Sequence, residues 1–194
     1  MCGIFGVISQ DVVSKEKLKT LVDHSRQRGK DYSGLIYFED GKYHVERADY
    51  DISKLVGKVK PFKSKVVLGH SRLITNGLSD NQPVIRNAIC VIHNGIIVNE
   101  KEIWDQLTLK REYQIDSEVI AAIAEQALLN DEPLENIPSK VLSLSKGIVA
   151  CALVLPEHGK LILFSNNGSL YIGYNGADIF FASVRSSLVL VGAA

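Results

Sequence analysis

The sequence lacks several features that would assign it to a particular class of protein. Lys plus Arg and Asp plus Glu both number 22, so the formal net charge is zero and no overall field attracts nucleic acid or an acidic membrane. No apolar run approaches the roughly 18 residues that a membrane-spanning helix needs. No basic segment precedes the short apolar start of the chain, as a signal peptide would require. We therefore predict a cytoplasmic protein with no nucleic-acid or membrane partner.

The sequence has few cysteines, and their number and spacing argue against a zinc site and against a disulfide framework. The three cysteines are Cys2, Cys90 and Cys151. They form no CxxC pair, and no histidine lies at zinc-ligand spacing from them, so we expect no metal site and no organic cofactor. An odd number of separated cysteines fits free thiols in a reducing compartment better than disulfides. Cys90 and Cys151 lie within predicted strands, where we expect them to be core residues.

Length and composition favour one domain with a large core. The chain has 194 residues, of which 46% are hydrophobic, and it shows no repeat, low-complexity segment or linker. We therefore expect a single domain over residues 1–194. Many short strands and two main helices indicate an α+β fold in which one sheet packs on another with helices outside.

Hydrophobic periodicity predicts the individual elements. A helix is indicated by Leu18, Leu21, Val22 and Ser25 on one face, and Gly29 would end it. A second helix is predicted over Ser117 to Leu129. Asp40-Gly41 is a hairpin signal. Strands are predicted at Ile4 to Ile8, Leu35 to Phe38, Tyr43 to Arg47, Val66 to Gly69, Ile89 to Ile92, Ile148 to Leu155, Leu161 to Phe164, Leu170 to Tyr174 and Ile179 to Ala182. The lysine-rich segment from Lys54 to Lys65 is predicted to be a solvated loop.

Cys2 is the first candidate for chemistry. If Met1 is removed, the thiol and a free α-amine belong to the same residue. The unperturbed pKa of the amine is about 7.7–8.0, against about 8.5 for the thiol, so the amine can accept the thiol proton near neutral pH. Such a residue is a nucleophile with its own general base. A buried structural cysteine is the alternative.

Three further polar clusters end predicted strands or begin a predicted helix, where functional side chains are commonly displayed. They run from Gly69 to Gly77, from His93 to Glu100 and from Asp116 to Ile120. Each alone has a structural explanation. Arg72 could form a surface ion pair, Asn94-Gly95 could be a turn, and Asp116 could cap the following helix.

Taken together, the clusters fit the cleavage of an amino-acid amide by a cysteine. Asn94 can offer a side-chain amide and Gly95 a backbone N–H to a tetrahedral oxyanion. Arg72 can grip an α-carboxylate through two parallel hydrogen bonds. Asp116 can hold an α-ammonium group, so the far end of the substrate would be recognised as well.

The ordered segments resemble the class II glutamine amidotransferase domain of the N-terminal-nucleophile hydrolases, which occurs in glutamine–fructose-6-phosphate aminotransferase, asparagine synthetase and amidophosphoribosyltransferase. Cys2-Gly3-Ile4-Phe5-Gly6 resembles the mature N-terminus of that family. Six segments match in the family's order when the closing strands are counted as one. The other five are Arg28 to Gly34, the Gly-His-x-Arg segment ending at Arg72, His93 to Ile97, Asp116 to Ile120, and the closing strands at Asn167 to Leu170 and Phe181 to Ser183.

The resemblance implies a fold and a set of roles. The fold would be a four-layer αββα sandwich with two largely antiparallel sheets. Cys2 would be the nucleophile that cleaves L-glutamine to glutamate and ammonia, and the Asn94 side chain and Gly95 N–H would form the oxyanion hole. Arg72 and Asp116 would bind the α-carboxylate and α-amino groups. Segment 73–77, with Leu73 and Thr75, would close over glutamine.

Departures from the family leave the ammonia acceptor open. Leu73 stands where the aminotransferase branch usually has Trp and resembles the asparagine synthetase branch, and Asn76 stands where the aminotransferase branch has His. In contrast, His93 to Ile97 is more like the aminotransferase branch. The chain contains no synthase or acceptor domain, so ammonia would pass to another domain or chain. Two alternatives remain. One is a different hydrolase with an N-terminal cysteine, such as a penicillin or bile-salt amidase, and the other is a catalytically silent glutamine-binding or regulatory module.

Overall fold

The computed structural model describes residues 2–73 and 81–194. Its strands, in chain order, are β1 (Gly3–Ile8), β2 (Tyr32–Glu39), β3 (Lys42–Ala48), β4 (Val66–Arg72), β5 (Val84–Arg86), β6 (Ile89–His93), β7 (Ile96–Ile97), β8 (Gly147–Ile148), β9 (Ala150–Leu155), β10 (Lys160–Ser165), β11 (Tyr171–Asn175) and β12 (Asp178–Ala182). Its α-helices are α1 (Lys15–Arg26), α2 (Ile52–Val59), α3 (Glu100–Trp104), α4 (Glu118–Leu129), α5 (Ile137–Leu144) and α6 (Arg185–Leu190). Among these described residues no helix combines the length and apolar character needed to cross a membrane.

The described residues form two compact units. The first contains 2–73, 81–83 and 169–194, and the second contains 84–168. In the first unit a six-stranded sheet has the order β11-β12-β1-β4-β2-β3, and every pairing is antiparallel. Helices α1, α2 and α6 pack against one face of this sheet, on a core that includes Phe5, Val67 and Phe180. Because side chains alternate along a strand, Ile4 and Leu68 point to the opposite face.

The second unit has a four-stranded antiparallel sheet of its own, in the order β10-β9-β6-β5. Helices α4 and α5 pack on one face of this sheet, and its core includes Val91, Ile123 and Leu153. Strands β7 and β8 form a separate two-stranded ribbon in which Ile96 pairs with Ile148. Two antiparallel sheets, each with helices against one face, confirm the predicted α+β class.

Several predicted elements are confirmed closely. The helix predicted from Ser117 begins one residue later, at Glu118. The Asp40-Gly41 turn joins β2 to β3, and both of its residues have positive φ, as a tight hairpin turn requires. Cys90 and Cys151 are buried in β6 and β9, as expected for core residues.

The prediction of a loop from Lys54 to Lys65 was wrong for its first half. Ile52, Leu55 and Val56 form the buried face of α2, and Asp51 accepts hydrogen bonds from the backbone of Ser53 and Lys54 at the helix start. The lysines lie on the exposed side of this apolar stripe. A segment rich in exposed charge can therefore still form a helix, because the apolar spacing decides which face is buried.

The prediction of one strand from Ile148 to Leu155 was also too simple. Gly147–Ile148 pairs with β7, whereas Ala150–Leu155 belongs to the four-stranded sheet. The last four strands are not one antiparallel run either. Strands β9 and β10 pair in the second unit, and β11 and β12 pair in the first.

Candidate active site

In the first unit, Cys2 and Arg72 lie at the same end of neighbouring strands. Gly3 pairs with Ser71 across β1 and β4, so Cys2 and Arg72 follow as the next opposed positions of the antiparallel register. Opposed residues share a face, and the alternation places both on the face opposite the helices. The side chains of Cys2 and Arg72 are both half-buried.

The first residues of β1 have little room to shift. A β-carbon built on Gly3 would lie 2.8 Å from the Ser25 hydroxyl oxygen and 2.9 Å from the Ser25 carbonyl oxygen. On the other side, the backbone N–H of Ile4 donates to the Ser183 hydroxyl over 2.9 Å, and the Ser183 N–H donates back to the Ile4 carbonyl. This packing fixes the strand that carries Cys2.

The loop after α1 supports Arg72. The Asp31 N–H donates to the Arg72 carbonyl oxygen at 3.1 Å. A β-carbon on Gly29 would lie 2.3 Å from the Arg72 carbonyl carbon, so only glycine allows this approach. Arg28 donates from Nη1 to the Ser183 carbonyl at 3.2 Å. The Arg28 to Gly34 segment thus packs against the end of β4.

In the second unit, Asn94 and Gly95 follow directly after β6. The Asn94 N–H donates to the Ala150 carbonyl at 2.8 Å, and the Ala150 N–H donates back over 3.2 Å. Asn94 is buried, and Gly95 is exposed. By the alternation of β6, Asn94 lies on the face opposite the helices, whereas His93 points toward them. A turn held by paired backbone bonds can present an amide side chain and the next N–H in a fixed direction.

Asp116 does not cap the helix that follows it. Its Oδ2 atom accepts the backbone N–H of Ile97 over 2.8 Å, and α4 begins at Glu118 after Ser117, which makes no side-chain capping bond. The carboxylate therefore bridges to β7, two residues beyond Gly95. The structure thus brings Asp116 and the Asn94–Gly95 turn into one connected arrangement within the second unit.

His93 was not among the site residues predicted from the sequence, although its side chain contacts groups next to Gly95 and Asp116. The side chain is buried, with Nδ1 3.0 Å from the Ser117 hydroxyl oxygen and Nε2 3.2 Å from the Ile148 carbonyl oxygen. Burial lowers the pKa of His93, and the nearby Asp116 carboxylate and the Ile148 carbonyl oppose this shift only in part. The imidazole is therefore neutral near pH 7. The alternation of β6 was the available signal, because it placed His93 on the covered face.

Glu118, which the motif also contains, is wholly buried in an ion network. Its carboxylate accepts from Arg86 and from the backbone N–H groups of Glu112 and Tyr113, the latter two at 2.8 Å. Glu125 accepts from the Arg86 Nε atom over 2.8 Å. Burial alone would lower the pKa of Arg86, but the Glu125 and Glu118 carboxylates outweigh it and raise that pKa.

Two predicted substrate-binding residues are less defined. Leu73 follows β4 and is exposed. Thr75, with the rest of the predicted closing segment after Leu73, lies outside the described residues.

The described residues of the second unit also form a cavity away from the candidate site residues. It has a volume of about 440 Å³ and is lined by Ile89, Leu128, Asp131, Glu132 and Glu157, among others. None of the candidate catalytic or substrate-binding residues lines this cavity.

Comparison with known proteins agrees with the family proposed from the motifs. A family profile described as a glutamine amidotransferase domain matches residues 70–189. Glutamine–fructose-6-phosphate aminotransferase of Zymomonas mobilis is 31% identical over 94% of this chain and 32% of its own length. The enzyme of the same name from Aquifex aeolicus is 30% identical over 94% of the chain and 32% of its length. The chain thus spans about a third of the length of these curated relatives.

A solved structure gives the same fold. Glutamine phosphoribosylpyrophosphate amidotransferase from B. subtilis, crystallised with ADP and GMP, aligns with a TM-score of 0.80 at 24% identity. The alignment covers 100% of this chain and 44% of that one. Since the family profile covers more than half of the chain and the fold agrees, the chain belongs to the glutamine amidotransferase domain family.

Proposed function

We propose that the chain hydrolyses the side-chain amide of L-glutamine to glutamate and ammonia, and that the ammonia passes to an acceptor domain or partner chain. The observation that carries the proposal is the pairing of Gly3 with Ser71, which sets Cys2 beside Arg72 at the end of two adjacent strands. A nucleophile next to a carboxylate-binding guanidinium suits an amino-acid substrate. Family membership supports glutamine as that substrate.

The proposed reaction uses groups of the chain and one water molecule, and the thiol proton leaves with the ammonia. With Met1 removed, the Cys2 α-amine takes the thiol proton while the sulfur attacks the amide carbon. The amide oxygen gains negative charge, which the Asn94 side chain and the Gly95 N–H stabilise. The C–N bond then breaks, and the departing nitrogen takes the proton from the α-ammonium to leave as ammonia. Water hydrolyses the thioester, which releases glutamate and restores the thiol.

Arg72 and Asp116 select the substrate in this proposal. Arg72 binds the α-carboxylate and Asp116 the α-ammonium, so a simple amide that lacks these groups is a poor substrate. Thr75 and Leu73 add contacts from the segment after β4. The absence of nucleic-acid and membrane partners and the cytoplasmic location stay predictions from the sequence.

Intact mass spectrometry tests the proposal, before and after exposure to an electrophilic glutamine analogue. We expect loss of Met1 and one stoichiometric adduct, abolished by Cys2→Ala and kept in the matched Cys90→Ala variant, whose thiol is buried in β6. A chain that retains Met1 and forms no adduct would instead be a silent binding or regulatory module of the same fold.

A further inference from the structure

We propose that His93 is a positioning residue, which supports the Gly95 turn through the Ile148 carbonyl and, by engaging the Ser117 hydroxyl, keeps the Asp116 Oδ1 atom available to the substrate. This inference rests on the proposed glutaminase function. His93 itself does not touch substrate in this proposal. It acts through one residue on each side of its ring, and all of these groups belong to the second unit.

The Nε2 side of the ring supports the Asn94–Gly95 turn, which forms the oxyanion hole in the proposed reaction. Nε2 lies 3.2 Å from the Ile148 carbonyl oxygen. A β-carbon built on Gly95 would fall 1.8 Å from that same oxygen and 2.6 Å from Nε2 itself. Gly95 therefore rests on the carbonyl that His93 holds. If the imidazole releases Ile148, the surface that sets the direction of the Gly95 N–H is lost.

The Nδ1 side acts on the ammonium-binding carboxylate. Nδ1 lies 3.0 Å from the Ser117 hydroxyl oxygen, and that oxygen lies 3.4 Å from Oδ1 of Asp116. The other carboxylate oxygen, Oδ2, already accepts the Ile97 N–H. The β7 backbone therefore positions the carboxylate, and the Ser117 hydroxyl has a single hydrogen that it can give either to Nδ1 of His93 or to Oδ1 of Asp116.

The protonation state of the ring follows from its two partners. A carbonyl oxygen only accepts, so the Nε2 atom carries the hydrogen that is donated to Ile148. In the neutral ring Nδ1 is then the acceptor, and the Ser117 hydroxyl donates its hydrogen to Nδ1. The serine hydrogen is therefore committed to His93, and the Asp116 Oδ1 atom can accept from a substrate ammonium instead.

Two substitutions separate the two sides of the ring. In His93→Gln the side-chain amide can reach the position of Nε2 and keep the bond to Ile148, but it loses the acceptor for Ser117. In His93→Asn the shorter amide can accept from Ser117 but cannot reach Ile148. The readouts are kcat and KM for glutamine, together with the kcat/KM preference for glutamine over glutaramate, which lacks the α-amino group.

We expect opposite patterns from the two variants. His93→Gln should raise KM for glutamine about tenfold and lower the preference over glutaramate by a similar factor, because the released Ser117 hydroxyl then donates to Asp116 Oδ1 and competes with the substrate ammonium. His93→Asn should lower kcat about tenfold with a smaller change in that preference, because the Gly95 turn is loosened. Adding Ser117→Ala to His93→Gln should restore part of the lost preference, since it removes the hydroxyl that competes for Asp116 Oδ1.

Matched controls keep the test decisive. His44→Gln replaces an imidazole whose Nε2 also contacts a backbone carbonyl, that of Glu39 at 3.3 Å, but which lies in β3 of the first unit, so its kinetics should match the wild type. A single cooperative urea transition would show that each variant is folded. Folded variants with unchanged kcat, KM and preference, or with the same loss in both, would overturn the role of His93 alone. A wild-type chain that forms no glutamate would overturn the proposed function as well.

Discussion

Gly95 lies so close to Ile148 that a β-carbon built on the glycine would sit 1.8 Å from the Ile148 carbonyl oxygen. No heavy-atom contact of this length is possible without movement of the backbone. Gly95 directly precedes β7, and Ile148 lies in β8, the strand that pairs with β7. Glycine is therefore required at position 95 because no side chain fits there, and not because the backbone has a left-handed conformation.

Gly95→Ala should consequently impair both stability and catalysis. The added methyl group must push the Ile148 carbonyl away from the turn, so we expect a fall in the free energy of unfolding of about 1–3 kcal/mol and a loss of roughly 10² in kcat. Chemical denaturation and steady-state ammonia release measure the two effects.

The matched control for that variant is Gly57→Ala. Gly57 lies inside α2, and a β-carbon there would meet nothing within 4 Å. Because alanine favours the helix interior by roughly 0.5–1 kcal/mol over glycine, Gly57→Ala should be neutral or stabilising and fully active. An equally active Gly95→Ala would show that catalysis does not depend on the close approach of Gly95 to the Ile148 carbonyl.

Substitutions of Arg72 and Asn94 should divide substrate binding from catalysis. Arg72→Ala should raise the glutamine KM by at least tenfold, because the α-carboxylate loses its charged partner. Asn94→Ala should lower kcat by about 10²–10³, since one donor to the oxyanion is gone. Arg185→Ala, at an exposed position at the start of α6, is the control and should leave both constants unchanged.

The outcomes that would contradict these roles differ. An Arg72→Ala variant with unchanged KM would remove Arg72 from the glutamine site. An Asn94→Ala variant with a wild-type rate would remove Asn94 from the oxyanion hole and leave the role of Cys2 untouched.

Arg86→Met should destabilise the second unit strongly. The substitution keeps much of the side-chain volume but leaves the wholly buried Glu118 carboxylate without its cation. Breaking a buried pair in this way typically costs about 3–5 kcal/mol. Urea denaturation measures the change. Lys146→Met, which breaks an exposed pair with Glu102, should leave the transition where it is.

Stability should also depend on the protonation of His93. Its pKa in the folded protein is lowered by burial, whereas the unfolded chain titrates near 6.5. Below that pH the unfolded state binds more protons, so folding stability falls as the pH drops, by at most about 1.4 kcal/mol per pH unit. The loss ends once the pH passes below the folded pKa.

Urea denaturation at pH 7.5 and 5.5 isolates this contribution by comparing wild type with His93→Gln. Other groups titrate in both proteins, so the difference between the two pH slopes belongs to the imidazole. We expect the variant to lose less stability on acidification. Equal slopes would mean that His93 does not titrate below its usual range.

Local patterns in the sequence accounted for much of the fold. The apolar face of α4, the Asp40-Gly41 turn and the β-branched runs of β4 and β6 each specify their structure through neighbours in the chain. The same patterns put Cys2, Asn94 and Asp116 at element ends. The motifs added the family, which the profile over residues 70–189 confirms.

The site contacts that the sequence did not reveal join residues that are far apart in the chain. The Asp116 carboxylate finds the N–H of Ile97, 19 residues earlier, and His93 finds Ile148, 55 residues later. No local pattern encodes such pairs. The α2 helix was missed for another reason, because its exposed lysines obscured the apolar stripe beneath them.

The network around Arg86 also determines how the second unit opens. One guanidinium joins β5 to α4 through Glu118 and Glu125, and Glu118 holds the backbone amides of Glu112 and Tyr113. These segments cannot separate one at a time without leaving a buried charge uncompensated. Their amide hydrogens should therefore exchange with solvent together, as one cooperative unit. The start of α4, just after Asp116, should be among the slowest parts of the second unit to exchange.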